Sequence, residues 1–396
     1  MKRSGFLSSI GRSVCPRVQG AIQAMFNRFR RAIDIRPARL QPRSTRRDQG
    51  DGQMTTRKQW RDQVNEMALE PDLPIIDAHH HIWLTPPLEP WEAYKVDAIT
   101  ADMENCGHTI LATVYTDSHA HYRTDGPQAM RVVGETEYAN SVADAAQARG
   151  SAASGLCAAI VTHADLLLGA AVGDVLDAHM AASQRFKGIR YMTAIDPDLP
   201  PVYGATEAEI MNRPIFREGV AELVKRGLSL DTWMFQPQLP ELLDLARVVP
   251  DANIILDHTG GPLAIGRFAG RRGEAFAQWK RDMARLAQCP NVSVKLGALN
   301  MTQTGMDATK EQQPHSSEET ARIQRDHILT AIDLFGPERC MFESNFPVDM
   351  HAISYTLLWN AFKRMTADLS ADDRHALFAG TAARVYRMED VSALAN

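Results

Sequence analysis

The chain has 396 residues, and 44% of them are hydrophobic, which is enough apolar material for a large buried core. A net charge of −5 excludes a global positive field of the kind that draws a protein to nucleic acid or to membranes. The five cysteines are odd in number, far apart and without a CxxC pair, which excludes a disulfide framework or a zinc ribbon and favours the reducing cytoplasm.

The first 58 residues differ in composition from the rest of the chain. Residues 1–50 contain 12 Lys and Arg but only two acids, so the remainder is strongly acidic. We expect residues 1–58 to form a basic, disordered extension and residues 59–396 to form one domain. Two further readings stay open, namely a true start at Met54 and an organelle transit peptide. No stretch approaches the roughly 18 apolar residues that span a bilayer, so no membrane association is expected.

From residue 75 onward, short apolar runs rich in β-branched residues alternate with stretches whose apolar residues recur every three or four positions. The first pattern predicts strands and the second predicts helices. Eight strands are predicted, at Ile75–His79, Thr109–Tyr115, Leu156–Thr162, Phe186–Met192, Leu228–Thr232, Ile254–His258, Val292–Leu296 and Cys340–Glu343. Helices are predicted between them, at Glu135–Ala148, Leu166–Met180, Phe216–Lys225, Leu239–Val248, Phe276–Ala287 and Ala321–Leu334.

Eight alternating units predict an α/β fold with a parallel sheet closed into a (β/α)8 TIM barrel. The alternative is a doubly wound open sheet, but that fold usually has fewer strands, and no glycine-rich phosphate loop follows any strand here. Links from helix to strand are short, whereas links from strand to helix are long and polar. In a barrel the long links gather on one face, which is the catalytic face. Ser316-x-x-Glu319 and Ser370-x-x-Asp373 have the form of helix-capping boxes.

The first predicted strand ends in the segment Asp77-Ala78-His79-His80-His81. Side chains alternate along a strand, so His79 and His81 face one way and His80 the other. Two imidazoles on one side of a barrel mouth can together hold a cation or a substrate oxygen. The plainer interpretation is that three adjacent histidines only cap the strand.

Two more predicted strands end in side chains suited to catalysis. His258 ends strand six and is followed by glycines that let the backbone approach a ligand closely. Glu343 and Asn345 share one face of strand eight, where a buried carboxylate is costly unless it is paired or takes part in the chemistry. The structural alternative for Glu343 is a salt bridge to Lys295 on strand seven.

Taken together, these motifs resemble the amidohydrolase-related (amidohydrolase 2) family of metal-dependent-hydrolase-like TIM barrels, over roughly residues 73–390. The similarity rests on HxH in strand one, Phe-Lys-Gly-Ile-Arg in strand four, Leu-Asp-His-x-Gly in strand six and Ser-Asn-Phe-Pro-Val-Asp in strand eight. Within the family, the chain is most similar to the lactonase branch, which includes pyrone-dicarboxylate lactonase and sulfomuconolactone hydrolase.

The resemblance implies that His79 and His81 are the family's first-strand pair, that His258 is its sixth-strand histidine, and that Arg190 meets a substrate carboxylate. Strand eight departs from the family pattern of Gly-Ser-Asp-x-Pro. Asn345 stands where the family has Asp, and Glu343 stands two residues earlier, where the family usually has Gly. We therefore expect Glu343 to supply the carboxylate that Asn345 lacks.

The predicted function is hydrolysis of a lactone, or of a related carbonyl ester, of a small carboxylated or oxygenated compound. The three histidines polarise the carbonyl group, while Glu343, or failing it Asp349, deprotonates the water. The predicted catalytic residues are His79, His81, His258, Glu343 and Asn345, and the predicted substrate-binding residues are Arg190, Arg123, Tyr122, Lys295 and Asp349.

The predicted cofactor is either none or one loosely held divalent cation such as zinc, bound by His79, His81 and His258. The expected partner is a small anionic substrate rather than nucleic acid, and a homo-oligomer is compatible with the sequence. Two other functions stay open. One is a metal-dependent, non-oxidative decarboxylase of the same family, and the other is a barrel that binds a ligand without catalysis.

Overall fold

The computed structural model describes residues 56–84, 93–199, 207–388 and residue 391. The predicted extension lies outside the described residues up to residue 55, so its independence from the barrel stays a prediction. The first described helix, α1 (Arg57–Arg61), is capped by the Thr56 side chain, and it buries Trp60. No helix in these ranges is both long and apolar enough to cross a membrane.

Eight parallel strands stand side by side in chain order, which confirms the predicted barrel. Beyond the last strand, Phe346 forms a parallel bridge with His80, and its carbonyl oxygen accepts a 2.7 Å hydrogen bond from the backbone N–H of His81. The chain thus returns to the first strand. The strands are β1 (Ile75–His80), β2 (Ile110–Thr116), β3 (Ala159–Thr162), β4 (Phe186–Met192), β5 (Ser229–Trp233), β6 (Asn253–Leu256), β7 (Val292–Leu296) and β8 (Cys340–Phe342).

Most of the helices lie between the strands in the chain and overlap the predicted helical stretches. Both expected caps are confirmed, since the side chains of Ser316 and Ser370 accept hydrogen bonds from the backbone N–H of Glu319 and Asp373. The remaining helices are α2 (Val96–Asn105), α3 (Val133–Arg149), α4 (Val172–Ala182), α5 (Pro214–Lys225), α6 (Leu239–Val248), α7 (Arg272–Leu286), α8 (Ser317–Phe335), α9 (Tyr355–Met365), α10 (Ala371–His375) and α11 (Thr381–Val385).

Several element ends differ from the predicted ones. The helix predicted from residue 166 is interrupted, because Gly169 has a positive φ within the 3-10 segment that precedes α4. The strand β6 ends at Leu256 and β8 at Phe342, so His258 and Glu343 lie just beyond the strands rather than in them. His258 and Asn345 have φ values of 60° and 54°, which turns the chain at the two places where site residues stand.

One end of the barrel is filled with apolar side chains from the strands and from the chain's last described residues. Ile76, Val114 and Met341 pack here against Tyr386, all of them buried. A separate and larger apolar cluster includes residues from both the strands and the helices. The polar groups described below lie at the carboxyl ends of the strands, where the catalytic face of a barrel is found.

Candidate active site

The carboxyl ends of the strands bring together a group of buried side chains, all of them ionisable except Asn345. Its members are at most 5% exposed, which is unusual for charged groups unless they are paired. They are His79, His81, Asp117, Arg190, Asp231, Asp257, His258, Lys295, Glu343, Asn345 and Asp349.

Lys295 is completely buried at the centre of this group. Its Nζ lies 2.8 Å from Asp231 Oδ2 and 3.1 Å from Asp257 Oδ1, and Asp231 Oδ2 also accepts a 2.5 Å hydrogen bond from the hydroxyl of Tyr386. Burial alone would lower the pKa of Lys295, but the two carboxylates outweigh it and hold the pKa above its usual value. Lys295 therefore stays charged, and it pairs with these aspartates rather than with Glu343.

His79 lies within hydrogen-bonding distance of both His81 and Lys295. Burial and the neighbouring cations, Lys295 for His79 and Arg190 for His81, lower both histidine pKa values well below normal, so both rings are neutral. The carbonyl oxygen of Thr116 can only accept, so Nδ1 of His81, 3.0 Å away, is the donor. Nε2 of His81 lies 3.2 Å from Nε2 of His79, and Nδ1 of His79 lies 3.2 Å from Lys295 Nζ.

His258 is held differently from the other two histidines. Its Nδ1 lies 2.8 Å from Oε1 of Glu343, and the same oxygen accepts a 2.9 Å hydrogen bond from the backbone N–H of His258. A carboxylate can only accept, so Nδ1 carries a proton, and in the neutral ring Nε2 carries the lone pair. In the described part of the chain, Nε2 of His258 has no hydrogen-bond partner. The ring of Trp233 packs against the imidazole, with centroids 5.5 Å apart.

Glu343 is fully buried beside the two rings. Burial would raise its pKa, but the adjacent His258, which donates a hydrogen bond to it, and the nearby His79 prevail and lower the pKa to about 2. Oε2 of Glu343 also lies 3.2 Å from Nδ1 of His79. A carboxylate with so low a pKa stays ionised and is a weak proton acceptor, which weakens the predicted role of Glu343 as the base.

Arg190 is held by one carboxylate. Its Nε lies 2.5 Å from Asp117 Oδ1, and its Nη2 donates to the carbonyl oxygen of Asp117 at 2.8 Å. The remaining nitrogen, Nη1, lies 3.3 Å from Nε2 of His79. Arg190 thus points one nitrogen into the group of histidines, where a substrate oxygen could meet it.

Asp349 and Asn345 form a second polar pair beside the histidines. Nδ2 of Asn345 donates to Oδ1 of Asp349 at 3.1 Å, and Asn300 donates to Oδ2 from its side chain at 3.0 Å. Burial raises the pKa of Asp349 to about 7, and the hydrogen bonds only partly offset it. Oδ1 of Asn345 is buried and accepts no hydrogen bond from a described residue.

Two predicted substrate-binding residues are not brought into this group. Arg123 forms an ion pair with Glu137 on α3, and its side chain is 38% exposed. The hydroxyl of Tyr122 lies 3.0 Å from Nδ1 of His119, a loop residue that in turn approaches Asp117. Sequence spacing places both residues after β2 but cannot give the direction in which a loop side chain points.

Three aspartates of the site were not predicted from the sequence, although each left a signal. Asp231 interrupts the apolar run of β5, and Asp257 immediately precedes His258. Asp117 follows β2 directly. A lysine predicted inside a barrel requires counter-charges on neighbouring strands, and this requirement could have identified Asp231 and Asp257 as its partners.

A divalent cation does not fit the central histidines well. Nε2 of His79 and Nε2 of His81 are 3.2 Å apart, which resembles the separation of about 3.3 Å between two ligands of one tetrahedral zinc ion. However, the Arg190 guanidinium lies 3.3 Å from the same nitrogen of His79. On the other side, His79, His258 and Glu343 could also converge on an ion, but Lys295 and the His258–Glu343 hydrogen bond occupy that space. The predicted set of His79, His81 and His258 therefore does not converge on one open position.

Comparison with known proteins places this chain in a family. A family model described as Amidohydrolase matches residues 76–388. The chain belongs to the amidohydrolase family. This amidohydrolase is accordingly a hydrolase of that superfamily, as its sequence motifs predicted.

Individual relatives cover most of this amidohydrolase. It is 33% identical over 339 residues to the protein y4mH of Sinorhizobium fredii, which spans 80% of this chain and 99% of the relative. It is 28% identical over 320 residues to an L-fucono-1,5-lactonase of Burkholderia ambifaria, which spans 79% of this chain and 96% of the relative. An amidohydrolase structure from Burkholderia multivorans with bound zinc has a TM-score of 0.60 at 25% identity and covers 79% of this chain and 99% of its own.

Proposed function

We propose that this amidohydrolase opens a lactone of a small oxygenated or carboxylated acid by attack of water. The proposal rests chiefly on His258, the histidine of the central group whose Nδ1 proton is bound by a carboxylate while its Nε2 keeps a lone pair without a described partner. Two relatives, from Burkholderia ambifaria and Burkholderia multivorans, bear the name L-fucono-1,5-lactonase, which supports the substrate class.

In the proposed reaction, His258 is the general base and Glu343 is a positioning residue. Nε2 of His258 takes one proton from water as the water oxygen attacks the carbonyl carbon of the lactone. The bond between that carbon and the ring oxygen then breaks, and the ring oxygen receives the proton from His258. Glu343 keeps the ring in the required tautomer and stabilises the imidazolium that forms in between.

The other site residues have supporting roles in this proposal. Nη1 of Arg190 is the cationic donor that can face the developing oxyanion or a substrate carboxylate, since the other two nitrogens are occupied by Asp117. Lys295 is fully engaged by two aspartates and by His79, so in this proposal it orients these neighbours and does not contact the substrate. Asp349, with a pKa of about 7, is the reserve candidate for a base.

The test is a panel of sugar-acid lactones and carboxylated pyrones, assayed with the full chain for acid release and for carbon dioxide. We expect one equivalent of acid per lactone, no carbon dioxide, and loss of turnover in His258→Asn. His375→Asn, on α10 outside the site, is the matched control and should keep normal turnover. Carbon dioxide release from a carboxylated ring would instead support the decarboxylase, and the absence of turnover with every lactone would argue against the proposal.

A further inference from the structure

Three side chains beside Arg190 form a second polar group, and the proposed reaction uses it only in that Asp117 holds Arg190. Asp117 follows β2, His119 stands two residues later in the same loop, and His163 follows β3. One ligand atom from each lies within 4.8 Å of the others. Two imidazoles and one carboxylate are the ligand set of many catalytic zinc sites, in which a fourth position stays open to water or substrate.

The carboxylate of this group has an oxygen that the protein leaves unused. Oδ1 of Asp117 is bound by Arg190, whereas Oδ2 is buried and accepts no hydrogen bond from any described residue. Asp117 itself is 0% exposed, and Oδ2 lies 3.3 Å from Nε2 of His119. A buried carboxylate oxygen without a hydrogen bond is costly, and a bound cation would remove that cost.

Both histidines are oriented as metal-bound histidines are. Nδ1 of His163 lies 3.2 Å from the carbonyl oxygen of Arg190, and Nδ1 of His119 lies 3.0 Å from the hydroxyl of Tyr122. The carbonyl oxygen can only accept, so Nδ1 of His163 carries the proton and Nε2 of the neutral ring keeps the lone pair that a metal requires. The Tyr122 hydroxyl can likewise accept from Nδ1 of His119, which frees Nε2 of His119 in the same way. The loop is also anchored from below, since Glu135 accepts hydrogen bonds from the backbone of Ser118 and Ala120 on either side of His119.

We propose that Asp117, His119 and His163 bind one zinc-like divalent cation at the mouth of the barrel, separate from the His79, His81 and His258 group. Imidazole and carboxylate ligands favour zinc over magnesium or calcium, which prefer oxygen ligands alone. The side chain of His119 is 36% exposed, so solvent reaches this face of the group. Asp117 would then join the cation on one oxygen to Arg190 on the other.

The experiment measures zinc binding to the chelator-treated full chain by calorimetry and by metal content after gel filtration. We expect one zinc ion per chain and a rise in melting temperature with zinc. Loss of a hydrogen-bond partner of a metal-bound histidine typically weakens binding by about 10- to 100-fold, so Tyr122→Phe should fall in that range. His119→Ala and His163→Ala, which remove ligands themselves, should weaken it by more than Tyr122→Phe does.

Two further variants locate the ion. His121→Ala is the matched control, because His121 lies in the same loop but stacks on Tyr138 and belongs to neither group of histidines. It should bind zinc as the unchanged chain does. If His81→Asn abolishes binding while His119→Ala and His163→Ala leave it intact, the ion sits at the central histidines and the proposal is wrong. The proposal is equally wrong if the unchanged chain takes up no zinc. These readouts do not depend on whether the chain opens lactones.

Discussion

Replacing Glu343 with Gln removes one negative charge from beside His258 and keeps the shape of the side chain. The amide oxygen of Gln can still accept the hydrogen bonds that Oε1 of Glu343 receives at 2.8 Å and 2.9 Å. The change therefore tests the charge of the carboxylate rather than its volume. If Glu343 stabilises the imidazolium that forms at His258, the reaction should slow while the fold is retained.

The magnitude follows from the contact and from the burial. Two unit charges about 4 Å apart interact by about 4 kcal/mol at an effective dielectric constant of 20. Glu343 is fully buried, so solvent does not screen this interaction further. A loss of that size in the transition state corresponds to a fall in kcat of about three powers of ten. This lies within the range of about 100- to 10,000-fold that general-base catalysis contributes.

The assay compares kcat for Glu343→Gln, His258→Asn and the double variant with one lactone at saturating concentration. A positioning residue acts through its partner, so the double variant should be no slower than His258→Asn alone. Glu222→Gln is the matched control. Glu222 is a buried glutamate of α5 that pairs with Arg226, away from the site. A double variant whose loss equals the product of the two single losses would refute the reasoning, since Glu343 would then act independently of His258. Near-normal turnover with a lower melting temperature would leave Glu343 a purely structural role.

Three further predictions concern binding, pH and the amino-terminal segment. Arg190→Lys loses the planar guanidinium fork that binds a carboxylate. The rise in KM should therefore be at least about tenfold larger for a carboxylated lactone than for a neutral lactone of the same ring, and equal rises would exclude carboxylate binding by Arg190. Burial raises the pKa of Asp349 from 3.8 to about 7. Between these two pH values the folded protein holds a proton that the unfolded chain has lost, so the contribution of Asp349 to the free energy of unfolding falls as pH rises, by about 1.4 kcal/mol per pKa unit. Urea unfolding of Asp349→Asn across pH 4 to 8 should lack this fall, and a wild-type-minus-variant difference that is constant with pH would contradict it. Deleting residues 1–53 should leave the melting temperature and turnover unchanged, whereas deleting 1–62 should lower the melting temperature, because it removes the buried Trp60.

The barrel could be predicted because its signals are local and repeated. Each strand is a short apolar run and each helix has its own period, so the eight units are visible in the sequence one at a time. The errors fall where the backbone turns sharply. β6 and β8 end before His258 and Glu343, and β3 begins after Cys157, which has a φ of 55°. Positive φ at residues other than glycine leaves no mark in the pattern of apolar residues.

The membership of the candidate site could be predicted only in part from the sequence, and its pairing could not be predicted. Side-chain alternation places His79 and His81 on one face of the first strand. It also predicts that Lys295 and Glu343 point towards the mouth of the barrel. The sequence does not say which carboxylate meets which cation, because that depends on distances between strands far apart in the chain. Lys295 was paired with Glu343 as an alternative, whereas Asp231 and Asp257 take that position. The different orientations of the three histidines follow from these pairings.

The pairing also gives a physical reason for an asparagine at residue 345, where the resemblance described above leads one to expect an aspartate. Its Nδ2 donates to Oδ1 of Asp349 at 3.1 Å, and Asp349 already has a pKa raised by burial to about 7. An aspartate at residue 345 would bring a second carboxylate to that distance, and like-charge repulsion would force one of the two to keep a proton. Glu343 is already ionised beside His258 and accepts a hydrogen bond from its imidazole, so the site already has a negative charge next to this ring. A neutral donor at residue 345 is then the more stable choice.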